Sequence, residues 1–201
     1  METKSNFTVK VFRELLNHGF SILLYNTEQL EDACGGYCWI DDDKREFSVA
    51  MKHHMGFEIL IHEYCHFLQW KNDPKFWYSH IEKYDLLFDW INDKNMEVTE
   101  KDLKDSLESI ISIEHDCESR VLKLVKNNPI EDFDINKYIR AANSYLWSYH
   151  LNRELRQRPN NPIYTNRVIE KMSPLFCSLS YYLDKENLSE NDRQSLLVEY
   201  K

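Results

Sequence analysis

Between about residues 20 and 51, apolar positions come in short strand-like runs; from residue 56 onward they recur at helical spacing. A short helix ending near Gly19 leads into Phe20–Tyr25, which reads as a strand. Gly36–Ile40 and Arg45–Met51 flank the polar turn Asp41–Lys44 and predict a hairpin. The next run, Gly56–Trp70, is apolar almost all round and predicts a buried helix. Asp73-Pro74 opens another helix through about Trp90, with proline at its first position. Further helices are expected over Thr99–Lys126, closed by Asn128-Pro129, and from near Asp134 to Arg158. Asn160–Pro162 reads as a loop, and the segment beyond it as one or two helices with a polar, frayed stretch at Glu186–Asp192. The expectation is an α+β fold: one mostly helical domain of 201 residues with a small antiparallel sheet near the N-terminus.

Two of these helices carry polar groups where apolar ones belong. Residues 62–66 read His-Glu-Tyr-Cys-His. Residues four apart share a helix face, so His62 and His66 can reach one metal ion, and Glu63 can take a proton from an attacking water. Ile59, Leu60, Tyr64, Cys65, Phe67 and Leu68 surround them, so the histidines belong to a buried helix, where two imidazoles and a carboxylate are costly without a compensating ion. The second helix has the stripe Leu103, Leu107, Ile110, Glu114, Glu118, Val121, Val125, at spacings of three and four. Glu114 and Glu118 thus occupy core positions, which carboxylates rarely do unless paired or metal-bound. His115 and Asp116 lie off that stripe.

His62-Glu63-x-x-His66 followed by Glu114-x-x-x-Glu118 resembles the gluzincin branch of the zincin metallopeptidases. The resemblance spans roughly residues 36 to 122 and is carried by the motifs. In general look the chain is also similar to small zincin-like proteins encoded by bacteriophages. It implies Zn2+ held by His62, His66 and Glu114, with Glu63 as general base. Glu118 would support His62 through its outer ring nitrogen. The family pattern has Asp where this chain has Glu118; the longer side chain leaves Glu118 as the alternative ligand, with Glu114 in support. In zincins a strand edge beside the histidine helix binds extended peptide, and Arg45–Met51 is the segment assigned to that role here.

A developing oxyanion requires a further donor. Tyr138, Tyr145, Tyr149 and His150 lie on the long helix from near Asp134 to Arg158, and Tyr149 with His150 is the preferred pair. His18, His53, His54 and His80 have no motif context and read as surface or loop residues.

The chain has 34 acidic against 25 basic side chains, a net charge of −9, with no basic block beyond Arg153–Arg158, which reads as a solvated helix end. That balance disfavours nucleic acid as a partner. No apolar run approaches membrane-spanning length, and the opening Met-Glu-Thr-Lys-Ser-Asn has no signal-peptide character. Five cysteines without a signal peptide are expected to be free thiols of a cytoplasmic protein. Cys34 and Cys38 lack a second pair to complete a metal site, and Cys65 and Cys117 read as small core fillers. Three readings follow: a metallopeptidase acting on peptide or protein, a zinc hydrolase for another amide-like substrate, or a catalytically silent zincin-like interaction module with structural zinc. An intact Glu63 favours the first two, because a structural site requires no base.

Overall fold

The computed structural model describes residues 1–30, 34–41 and 43–201. The single domain expected from length is organised as two compact units, Met1–Asp73 with Cys117–Phe133, and Pro74–Asp116 with Asp134–Lys201.

The first unit begins with helix α1, Lys4–Asn17, whose N-terminus is capped by Thr3 accepting from the Asn6 amide at 3.2 Å. Its buried positions, Phe7, Val11 and Leu15, are four apart and form one face. Three strands follow: β1 (Ser21–Tyr25), β2 (Gly36–Ile40) and β3 (Arg45–Ala50). β2 and β3 form the anticipated antiparallel hairpin, Gly36 opposite Val49 and Ile40 opposite Arg45; Asp42 of its turn lies outside the described residues. The sheet as a whole is mixed rather than antiparallel, because β1 runs parallel to β3, Ser21 opposite Glu46 and Tyr25 opposite Ala50. Its order is β1-β3-β2. This corrects the edge assignment of Arg45–Met51: β3 is the central strand, with its backbone groups paired to both neighbours, and an edge is offered by β2 instead.

Helix α2, Gly56–Asn72, packs on β2 and β3. Leu60, Ile61, Cys65 and Phe67 are fully enclosed, as a helix apolar on nearly every face requires. Gly35 and Gly36 permit this contact. A Cβ at Gly36 would stand 2.8 Å from Ile59 Cγ2 and 2.9 Å from the Ser48 carbonyl oxygen, closer than side chains approach, and in tight contact with Glu63 Cγ at 3.0 Å.

Helix α4, Glu100–Asn127, gives its first part to the second unit and the remainder to the first. The stripe read from the sequence is buried along its whole length, Glu114 at 2% and Glu118 at 3% exposure included. Beyond α4 the chain returns to its own start, with the Glu2 amide donating to Pro129 O and Glu131 donating to Glu2 O.

The second unit is helical: α3 (Pro74–Asn92), the start of α4, α5 (Ile135–Leu155), α6 (Asn166–Ile169), α7 (Leu179–Leu183) and α8 (Glu190–Leu197). Leu87, Leu107, Ile111, Leu146, Met172 and Leu196 are among its core residues. Asp134 caps α5, accepting from the Lys137 amide at 3.0 Å. α5 stops at Leu155, earlier than expected, because Arg156 adopts a left-handed conformation (φ 46°). From there its guanidinium donates to the Trp90, Asp93 and Met96 carbonyls, closing the end of α3. The arginine cluster is therefore partly structural, and Arg153 also pairs with Glu100. The polar Glu186–Asp192 stretch holds a 3-10 turn at Lys185–Asn187, then Ser189 caps α8 by accepting from Asp192 N at 3.1 Å. Among the described residues no helix is long and apolar enough to cross a membrane.

Candidate metal centre

One turn of α2 separates His62 from His66, and their rings meet edge to face with centroids 4.7 Å apart. The two Nε2 atoms face each other at 3.1 Å. Each outer nitrogen has an acceptor: His66 Nδ1 lies 2.7 Å from Gln69 Oε1, and His62 Nδ1 lies 3.2 Å from Glu118 Oε1. With both rings neutral, protons on the Nδ1 atoms leave two Nε2 lone pairs directed at one another. That arrangement is repulsive alone and favourable around a cation. Two nitrogens of a tetrahedral zinc site, each about 2.0–2.1 Å from the ion, stand roughly 3.3 Å apart. The observed separation fits that donor set.

Glu63, at 7% exposure, follows His62 on the same helix, with Gly36 of β2 against its Cγ. Cys38 on β2 is close enough to sense the site: burial pushes its thiol well up, Glu63 and Cys117 add to the rise, and His62 opposes it. Burial likewise raises the Cys65 thiol, with Cys117 next in effect.

Cys117 comes nearer to His62 than a core filler would need to. Its thiol donates to the His62 carbonyl oxygen at 3.2 Å and stands 3.7 Å from Nδ1. Ligand atoms of His62, His66 and Cys117 all lie within 4.8 Å of one another, close enough to hold a metal ion. The thiol nevertheless approaches the Nδ1 edge of His62, where Glu118 already stands. A metal drawn by the two Nε2 atoms would sit at the other edge of that ring.

In the second unit, Glu114 accepts from the Tyr84 hydroxyl at 2.9 Å. The Tyr149 hydroxyl is held well above its ordinary range, first by burial and then by Glu114, with Tyr145 and Tyr84 contributing. Glu114 thus has a tyrosine setting that its sequence position did not announce, since Tyr84 belongs to α3. Tyr149 and His150, the pair preferred from the sequence, face different surroundings. His150 Nε2 donates to the Tyr182 carbonyl at 2.7 Å, and burial lowers its pKa. It lines a cavity of about 730 Å3 together with Leu103, Leu107 and Arg153, whereas Tyr149 stands beside Glu114. Consecutive helical residues project about 100° apart, which separates the two. Tyr138 is buried, and Tyr145 stacks edge to face on Tyr149.

His115 donates to the Cys177 carbonyl at 3.0 Å and stacks on Phe176. His18 and His80 each donate through Nδ1 to a carbonyl one turn earlier, at Glu14 and Phe76. His53 Nδ1 accepts from the Met55 amide just before α2. Gln69 was not among the residues the sequence singled out; its sole sequence signal is a polar side chain three residues after His66 on an apolar helix.

No family model, curated protein or solved structure matches the chain.

Proposed function

We propose that this protein is a zinc-dependent hydrolase of the metallopeptidase type, cleaving amide bonds in a peptide or protein. The observation that carries the reading is the facing pair of Nε2 atoms, 3.1 Å apart, with Glu118 and Gln69 on the outer nitrogens and Glu63 next to His62 in sequence. His62 and His66 would hold the zinc, and Glu118 would orient His62. The third ligand implied by the gluzincin resemblance is Glu114, one helical turn before Glu118 on α4. Zinc in such a site polarises a scissile carbonyl and acidifies water. Glu63 accepts the proton of the attacking water and delivers it to the leaving amine. Extended substrate would add to the edge of β2, whose first residue, Gly36, abuts Glu63. The five cysteines are thiols rather than disulfides, which suits a reducing, cytoplasmic setting.

The test is hydrolysis of a fluorogenic peptide library by zinc-loaded protein and by Glu63→Gln. Cleavage by the wild type, lost in the variant while zinc is retained, supports the peptidase. Absence of cleavage by a fully loaded wild type would contradict it.

A second reading, zinc as a clamp between helices, draws on Cys117, because two histidines and a thiolate also suit a structural zinc. Cobalt(II) substitution separates the two. A sulfur charge-transfer band that disappears in Cys117→Ser would favour the clamp.

A further inference from the structure

Gln69 is completely buried on α2, three residues after His66, and its side-chain oxygen lies 2.7 Å from His66 Nδ1. Burying an uncharged amide in an apolar helix face costs free energy unless its polar atoms are used. An amide oxygen can only accept, so the nitrogen facing it carries the proton. In a neutral imidazole that leaves Nε2 bare, and His66 Nε2 is the atom that faces His62.

We infer that Gln69 is a positioning residue of this centre: it fixes His66 as the Nδ1–H tautomer and aims its Nε2 lone pair at the metal. This rests on the metal reading proposed above. The two histidines are then held by different chemistry. His62 has a carboxylate from another helix, Glu118, while His66 has a neutral amide from its own helix, one turn on. A carboxylate raises the basicity of the ring it holds; an amide orients the ring without adding charge. The centre thereby gains one negative outer partner rather than two. With the amide turned the other way, its NH2 would donate to Nδ1 and the His66 proton would move to Nε2. The rings would then share an N–H···N hydrogen bond and offer no pair of lone pairs.

The experiment reads the tautomer and the metal separately. Long-range 15N–1H correlation spectra of the metal-free protein report which nitrogen of His66 carries the proton. Zinc affinity is measured by competition with a chromophoric chelator, and folding of each variant by circular dichroism. The expected result is Nδ1–H at His66 in the wild type, loss of that preference in Gln69→Leu, and its retention in Gln69→Glu. Zinc binding should weaken about 10-fold or more in Gln69→Leu and hold in Gln69→Glu, in line with the 10–100-fold cost of removing such partners. Nε2–H at His66 in the wild type overturns the inference directly. Unchanged zinc affinity in a folded Gln69→Leu overturns it as well. Nδ1–H at His66 in a wild type that takes up no zinc overturns the positioning role through failure of the metal reading, a distinguishable outcome.

Discussion

Glu118 meets His62 at the ring nitrogen turned away from His66: its Oε1 stands 3.2 Å from Nδ1, while Nε2 faces the second histidine at 3.1 Å. A carboxylate at that position fixes the tautomer in which Nε2 can ligate and strengthens the ring as a donor. Glu118→Gln keeps an acceptor but loses the charge, so zinc should bind on the order of 10-fold more weakly without being lost. Chelator competition measures this. Complete loss of zinc in that variant would make Glu118 a ligand instead.

Substitution of Glu63 tests catalysis apart from metal binding. Glu63→Gln is expected to retain one zinc per chain and to lose at least about 10²-fold in hydrolysis, the range associated with removing a positioned general base. Single-turnover cleavage alongside elemental analysis gives both readings on one sample.

The contact between β2 and α2 depends on two glycines, and they should respond differently. A Cβ at Gly36 meets the Ser48 carbonyl at 2.9 Å, backbone that cannot rotate aside. A Cβ at Gly35 meets Ile59 Cδ1 at 2.4 Å, the far end of a side chain that can turn. Gly36→Ala should therefore cost about 1–3 kcal/mol by overpacking, and Gly35→Ala less. Denaturant midpoints at constant m-value test the order. Gly36→Ala should also depress hydrolysis beyond its effect on stability, because Glu63 Cγ lies 3.0 Å from the added methyl.

Burial, with some repulsion from His54, lowers the pKa of His53 from 6.5 to about 4. Between those values the unfolded chain binds a proton that the folded chain does not, so stability rises with pH. The contribution is fully present above about 6.5 and is lost as pH falls toward about 4. His150, lowered by burial as well, acts in the same direction. Protonation of His53 would also remove the acceptor of the Met55 amide at the start of α2. An NMR titration of the His53 ring should give a midpoint near 4; a midpoint near 6.5 would contradict the shift.

Much of this arrangement is local enough to read from the chain. Helical periodicity sets His62 and His66 on one face, and the stripe that buries Glu118 also buries Val121 and Val125. What the pattern omits is pairing between distant segments. The central position of β3 depends on a parallel partner, β1, some twenty residues away, and strand order leaves no trace in the alternation of a single strand. Cys117 reads as a filler because nothing in its neighbours shows that its thiol reaches the His62 carbonyl. Gln69 is hidden for another reason: a glutamine on a helix is ordinary until its burial is known. Tyr149 and His150 face different surroundings because adjacent helical residues point to different sides, a rule the sequence itself supplies.

The central claim is that the two histidines of α2 hold a zinc ion. Zinc per chain, measured by elemental analysis on purified wild type, His66→Ala, Glu114→Ala and Cys117→Ser, tests it most directly. The account predicts one zinc per wild-type chain, little or none in His66→Ala and Glu114→Ala, and a retained ion in Cys117→Ser. A carefully prepared wild type that contains no zinc and takes up none on addition would contradict it, and the facing imidazoles would then be a buried hydrogen-bonded pair.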